Sequence, residues 1–93
     1  MSTRVVVPMQ ALPGKSDEFA RLFNDTAAKV RKEPGCEQYE LFRSTTSPDG
    51  FVLLERWRDR AALDAHIALI RSSPPAPHGA LRAGPPSTEI YEV

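Results

Sequence analysis

The chain has 93 residues, of which 41% are apolar and 26% are charged, so the sequence predicts one small globular domain and excludes a disordered chain. Twelve basic residues balance twelve acidic ones, which removes the electrostatic case for a protein that binds nucleic acid or an anionic membrane. The single cysteine, Cys36, excludes an internal disulfide, and the N-terminus has no signal-peptide pattern, so we expect a soluble, cytoplasmic protein.

The first half of the chain predicts a strand, a helix and a second strand. Valine-rich residues 3–12 favour a strand in which Pro8 indicates an edge position or a bulge. A helix from about Lys15 to Lys32 follows, because apolar residues recur there at helical spacing: Phe19, Leu22, Phe23, Ala27 and Val30. Pro34 and Gly35 end this helix, and alternation then predicts a strand over residues 37–45.

The second half predicts a hairpin strand, a helix and a closing strand. The sequence SPDG at residues 47–50 is typical of a tight turn, and residues 51–57 return as its second strand. Asp59 is placed to cap a helix over residues 60–71. Two further segments complete the chain, namely a proline-rich stretch at residues 72–87, whose role the pattern leaves open, and a strand at residues 88–93.

This order of elements predicts the α+β, ferredoxin-like split βαβ arrangement, an antiparallel four-stranded sheet with two helices on one face. The hairpin strand is apolar on both sides, since Phe51, Leu53 and Trp57 point one way and Val52 and Leu54 the other. Something must therefore cover the sheet face that has no helices. We expect a homodimer whose two sheets pack face to face and bury more than about 1,200 Å² in total.

His66 is the first candidate for chemistry, because it shares the apolar side of the second predicted helix with Leu63, Ile67 and Ile70. Two interpretations stay open. The ring is either a packed histidine with both nitrogens satisfied by the protein, or a base that titrates near neutrality. Glu55 points inward from the preceding strand, and a buried carboxylate needs a partner, either His66 or an arginine.

The other candidates also have two interpretations each. Trp57 is either core or an aromatic wall with an indole N–H donor. Arg43, on the same strand face as Tyr39, either stabilises an anion or forms a salt bridge at the rim. His78 lies either in a mobile lid or at the surface, and Cys36 is better explained as a small buried filler than as a nucleophile. Neither CxxC nor HxxxH occurs, so no metal site is expected.

Four short motifs, in this order and spacing, resemble the antibiotic biosynthesis monooxygenase (ABM) domain family: Glu33-Pro34-Gly35-Cys36, Tyr39-Glu40-Leu41, Leu54-Glu55-Arg56-Trp57 and Ala62-Leu63-Asp64-Ala65-His66. The resemblance runs from about Arg4 to Val93 and implies one ABM-like domain, a dimeric α/β barrel with a pocket between sheet and helices. It further implies a quinol-monooxygenase-like activity that oxidises a quinol, anthrone or related polyketide phenol with O₂, without flavin, metal or haem.

On the hypothesis of such an activity, we assign roles to seven side chains. His66 would be the base, with Trp57 and Tyr39 as aromatic walls and donors; the substrate contacts would be Phe23, Arg43, Glu55 and Arg71. Arg71 stands where quinol-type members often have a second histidine, and Asn24, the only asparagine, lies in the first predicted helix and not in the first strand. The alternatives are a non-catalytic dimer that binds a small aromatic ligand or scaffolds a neighbouring domain, and a haem-binding protein.

Overall fold

A computed structural model describes all 93 residues, Met1–Val93. The helices and strands follow in this order: β1 (Thr3–Gln10), α1 (Ser16–Val30), β2 (Cys36–Arg43), β3 (Gly50–Trp57), α2 (Arg60–Ser72), a short 3₁₀ helix (Pro77–Leu81) and β4 (Glu89–Glu92). The strands form one antiparallel sheet in the order β2-β3-β1-β4. This confirms the predicted ferredoxin-like α+β fold. Neither helix is long and apolar enough to span a lipid bilayer.

The core lies between the helices and one face of the sheet. Alternate residues of β1 and β3 are buried there, and they meet one face of α1, whose buried residues are Phe19, Phe23, Ala27 and Val30. Helix α2 contributes Ala62, Leu63 and His66. The period-two burial of the strands and the helical spacing in α1 are the patterns on which the sequence prediction rested.

Pro8 lies in β1 at a point where that strand has only one neighbour. β1 pairs with β3 along its whole length, but its ladder with β4 covers only Thr3–Val6. Beyond Val6 the strand is therefore an edge, which tolerates a residue that cannot donate a backbone hydrogen bond. The predicted edge position describes this half of β1, although the strand as a whole is an inner one.

The end of β1 is joined to the proline-rich segment by backbone hydrogen bonds. The strand ends at Gln10, two residues earlier than predicted. The Leu12 amide donates to the Leu81 carbonyl at 2.8 Å, and the Ala83 amide donates to the Gln10 carbonyl at 2.7 Å. These two bonds bring residues 81–83 back to the sheet, so this part of the proline-rich segment has a defined position in the fold.

Gly35 makes the turn that leads from α1 to β2. Its φ is +81°, and a Cβ placed on it would lie 2.6 Å from the Cβ of Ala62 in α2. Its carbonyl accepts a hydrogen bond from the Arg58 amide at 2.8 Å. A side chain at this position would therefore bring both a left-handed backbone penalty and a steric clash.

Gly35→Ala should lower the free energy of unfolding by about 2–5 kcal/mol, the sum of the left-handed penalty and the overpacking cost. Gly14→Ala is the matched control, because Gly14 has a φ of +77° but open space around it. The control should lose only about 1–2 kcal/mol. Urea denaturation of both variants measures the difference, and equal losses would show that the contact with Ala62 is unimportant.

Candidate active site

A cavity of about 460 Å³ lies between the sheet and the helices. Its floor consists of alternate residues of two neighbouring strands, Val5, Val7 and Met9 of β1 and Leu53 and Glu55 of β3. Its outer wall comes from the proline-rich segment, through Pro75, Ala76, His78, Gly79, Arg82 and Pro86. The lining is largely apolar with a few polar groups, and its volume is in the range of small-molecule sites.

His66 stands in the cavity wall and is held by Glu33. The Asp59 carboxylate caps α2 by accepting from the Ala62 amide at 2.9 Å, and His66 follows one turn later with 3% of its side chain exposed. Its Nδ1 lies 2.8 Å from Oε1 of Glu33. Because a carboxylate only accepts, Nδ1 carries the proton and Nε2 of the neutral ring keeps its lone pair. The hydrogen-bond partner of His66 is thus Glu33 and not Glu55, although His66 was one of the two partners that the sequence left open for Glu55.

Aromatic rings hold the orientation of the imidazole. Trp57 stacks on it with ring centroids 4.7 Å apart and an interplanar angle of 28°, and Tyr39 meets it edge-on at 5.6 Å. Tyr39 in turn stacks on Phe23 at 6.0 Å. Tyr39 and Phe23 line the cavity, whereas Trp57 is fully buried behind His66 and does not. Trp57 therefore supports the wall from behind instead of forming it.

Glu55 is a buried carboxylate at the cavity floor, 6% exposed. Its Oε1 accepts a hydrogen bond from the indole Nε1–H of Trp57 at 2.8 Å. Burial raises the pKa of Glu55, against the opposing effects of the Trp57 hydrogen bond and of His66. The sequence predicted the inward direction of Glu55, but its partner is neither His66 nor an arginine.

Replacing Glu55 by glutamine should stabilise the protein increasingly as the pH rises. Below the ordinary pKa of a glutamate, about 4.3, both the folded and the unfolded wild type are protonated. Between that pH and the raised pKa of the folded state, the folded protein binds more protons than the unfolded one, so wild-type stability falls with pH. Glutamine still accepts from Trp57 but does not titrate.

The measurement is the free energy of unfolding of wild type and Glu55→Gln from pH 4 to pH 8. Glu18→Gln, on the exposed face of α1, controls for the loss of one surface carboxylate. An advantage of Glu55→Gln that shrinks as the pH rises would contradict the raised pKa of Glu55.

Tyr39 offers a hydroxyl group to the cavity. Burial, helped by the negative charges of Glu55 and Glu33, raises the pKa of Tyr39 well above its usual value. The hydroxyl therefore keeps its proton throughout the physiological pH range and is available as a hydrogen-bond donor to a ligand.

Two cavity residues of the proline-rich segment were not recognised as such from the sequence. His78 is half-buried and packs on Phe23 and Phe19, with ring centroids 4.7 Å and 5.9 Å apart, so it is not simply exposed. Burial lowers the pKa of His78, which favours a neutral ring. Arg82 lines the cavity and donates from Nε to the Gly84 carbonyl at 3.1 Å. Neither residue lies in a helical or strand pattern of apolar residues that would indicate which way its side chain points, since this segment is mostly irregular.

Arg43 and Arg71 lie outside the cavity. Arg43 forms a salt bridge with Asp17 at 2.9 Å and places its guanidinium 5.2 Å from the centre of the Phe51 ring, which is the rim interaction that the sequence left open. Arg71 is exposed near the end of α2. Cys36 is half-buried, and burial raises the pKa of its thiol. No group of three or more histidine, cysteine or acidic side chains could hold a metal ion.

Comparison with known proteins places this geometry in a family. The model of the antibiotic biosynthesis monooxygenase family matches residues 2–69. The chain is 33% identical to sll1783, an uncharacterized protein of Synechocystis sp., over 87% of this chain and 56% of that protein. It spans a little over half the length of the curated relatives that it matches.

Several solved structures have the same fold as this chain. A Caulobacter crescentus CB15 protein with the same family description is 32% identical, with a TM-score of 0.81, covering 99% of this chain and 89% of that one. SnoaB from Streptomyces nogalater, a cofactor-independent oxygenase, shares the fold at 22% identity, with a TM-score of 0.79 and coverage of 99% and 92%. Because the family model matches residues 2–69, nearly three quarters of its length, the chain belongs to the antibiotic biosynthesis monooxygenase family.

Proposed function

We propose that the protein is a cofactor-independent monooxygenase that oxidises a quinol, an anthrone or a related aromatic phenol with O₂. The observation that carries this proposal is the imidazole of His66, held by Glu33 at 2.8 Å in the wall of an apolar cavity large enough for fused aromatic rings. Family membership supports the reaction class, and SnoaB, of the same fold, is described as a cofactor-independent oxygenase.

The first step is removal of a proton from the substrate. Nε2 of His66 accepts the proton of a phenol or of an activated C–H group, and Glu33 stabilises the imidazolium that forms. The remaining substrate is an electron-rich anion. The Tyr39 hydroxyl, which keeps its own proton, donates a hydrogen bond to the developing oxyanion.

The substrate then reduces oxygen itself. The anion passes one electron to O₂, and the resulting radical and superoxide combine to form a carbon–oxygen bond and, with one proton, a hydroperoxide. Cleavage of the O–O bond with loss of water leaves a carbonyl group, so one oxygen atom enters the product and the other leaves as water. The four electrons consumed by O₂ come from the substrate, two through each C–H or O–H bond that is lost.

The proton step sets the requirement for hydrogen-bond donors. A phenol with a pKa of about 10 facing a free imidazole of about 6.5 leaves a gap of about 3.5 units, or about 5 kcal/mol. One or two charge-assisted hydrogen bonds, worth about 1.5–3 kcal/mol each, close most of that gap. Tyr39 supplies one of them. An anthrone or an electron-poor quinol is more acidic and needs less help.

Oxygen uptake tests the proposed function. The purified protein is incubated aerobically with a panel of quinols and anthrones in metal-free buffer, and oxygen consumption is followed with an electrode. The expected result is protein-dependent uptake of one O₂ for each product molecule formed. Binding of these compounds without uptake above the spontaneous rate would instead favour a ligand-binding module.

We further propose that the chain works as a homodimer. The sheet face without helices carries an apolar patch of half-buried or exposed residues, namely Val6, Pro8, Phe42, Val52 and Leu54. Phe42 is 41% exposed, and Tyr91 at the opposite edge is 50% exposed. A second copy, packed sheet against sheet, would remove this patch from water and bury more than about 1,200 Å² in total.

Leu54→Arg should convert the dimer to a monomer, because it places a charge in the middle of the apolar patch. Light scattering coupled to size-exclusion chromatography measures the mass. Leu69→Arg is the control, since Leu69 is 51% exposed on α2, away from the patch. A wild-type protein that is already monomeric at micromolar concentration would refute the homodimer.

A further inference from the structure

We infer that the cavity is built for an elongated aromatic hydroxy acid, with the hydroxyl at the His66 end and a carboxylate at the Arg82 end. The inference rests on the proposed function for the reacting hydroxyl, and it adds the second polar group of the substrate. Four observations support it: an unpaired cation in the cavity wall, its fixed attachment, the length of the cavity floor, and the charge at the other end.

Arg82 is the only lysine or arginine among the residues that line the cavity. Four other arginines form salt bridges with carboxylates of the chain, whereas no carboxylate oxygen of the protein lies within 4.0 Å of the Arg82 guanidinium. Its Nε is used by the Gly84 carbonyl, which leaves the two terminal nitrogens free. A half-buried arginine in a cavity wall, with two terminal nitrogens free to donate, favours an anionic ligand.

The backbone holds Arg82 in place. Arg82 forms an isolated bridge with Ala11, just beyond the end of β1. The hydrogen bonds of Leu12 to Leu81 and of Ala83 to Gln10 flank this bridge on both sides. A side chain on such a segment is positioned before the ligand arrives, so less conformational entropy is lost on binding.

The cavity floor separates the two polar ends. Glu55 pairs with Val5 in the sheet, whereas Arg82 bridges to Ala11. These two positions lie six residues apart along β1, which corresponds to about 20 Å of extended chain. Between them the floor is apolar, formed by Val7, Met9 and Leu53. A ligand that reaches both ends therefore needs two or more aromatic rings between its polar groups.

The charges at the two ends of the cavity determine the orientation of the ligand. Two acidic groups lie at the His66 end, Glu55 at the cavity floor and Glu33 behind the imidazole, and either of them in its ionised form repels a carboxylate there. The guanidinium at the other end matches the two oxygens of a carboxylate with a pair of parallel N–H donors. The acid group thus points to Arg82 and the hydroxyl to His66.

The experiment is anaerobic titration calorimetry with two probes of similar size and shape that differ in charge. One is a para-terphenyl with a hydroxyl on one terminal para position and a carboxylate on the other; the second is its carboxamide. Wild type should bind the acid about tenfold more tightly than the amide, the effect of one partly exposed charge-assisted contact. Arg82→Gln should bind both equally, with the affinity for the amide unchanged.

Arg21→Gln is the control, since Arg21 is exposed on α1 and outside the cavity; it should behave as wild type. Equal affinities of wild type for the two probes, undetectable binding of the acid, or a preference that survives Arg82→Gln would each overturn the inference. Without oxygen there is no turnover, so these outcomes are independent of the oxygen-uptake test. A failed uptake test with an intact preference for the acid would refute only the oxidation.

Discussion

We expect His66→Ala to lower kcat/KM for oxygen-dependent turnover by about a hundred- to ten-thousand-fold, the usual contribution of a positioned general base. The physical reason is that the contact of Glu33 with Nδ1 orients the ring so that Nε2 is the nitrogen that can accept the substrate proton, and the Glu33 carboxylate stabilises the imidazolium that results. The rate is measured as initial oxygen uptake over a range of substrate concentrations, at one pH and with matched protein concentrations.

Two controls separate a catalytic role of His66 from a structural one. Added imidazole should restore part of the activity of His66→Ala, because the substitution leaves a space of the right shape between Trp57 and Tyr39. Glu33→Gln, which keeps an oxygen near Nδ1 but removes the negative charge, should lose less activity than His66→Ala. Wild-type turnover by a folded His66→Ala protein would remove His66 from the mechanism.

Trp57→Ala should cause the largest loss of stability, about 3–5 kcal/mol from the cavity that it leaves. The side chain is fully buried, stacks on His66, and donates the indole hydrogen bond to Glu55. Without that donor Glu55 is a buried carboxyl with no protein partner, which costs about 1–3 kcal/mol more. The total is a large share of the 5–15 kcal/mol that stabilises a typical domain.

Trp57→Phe divides this loss into its two parts. Phenylalanine keeps most of the buried volume and the stacking on His66 but cannot donate to Glu55, so it should lose only about 1–3 kcal/mol. Urea denaturation at one protein concentration gives both values, and the concentration must be the same because dimerisation would contribute to stability. A loss in Trp57→Phe as large as that in Trp57→Ala would show that the hydrogen bond, and not packing, dominates.

Local patterns in the sequence were sufficient for the fold and for the direction of several side chains. The helical spacing of Phe19, Phe23 and Ala27 predicted α1 to within two residues at either end, because a buried helix face repeats every three to four residues. The same reasoning placed His66 on the inner side of α2, and strand alternation placed Glu55 on the inner side of β3.

Partners of these side chains could not be predicted in the same way. Glu33 contacts His66 from a loop 33 residues earlier in the chain, and no local sequence pattern indicates a contact between such distant residues. The sequence left His66 or an arginine as the partner of Glu55, whereas the Glu55 carboxylate accepts from Trp57. Periodicity reports the direction of a side chain, whereas its partner depends on how distant segments pack.

By itself the sequence determined the order of the strands and helices, the buried face of each and the inward imidazole, because these follow from backbone geometry and the burial of apolar side chains. Only the tertiary structure decided that Glu33 holds the ring, that Trp57 lies behind the cavity, and that residues 75–86 close its outer side with Arg82. Those features arise from contacts between segments far apart in the chain, which become neighbours only when the sheet and helices are assembled.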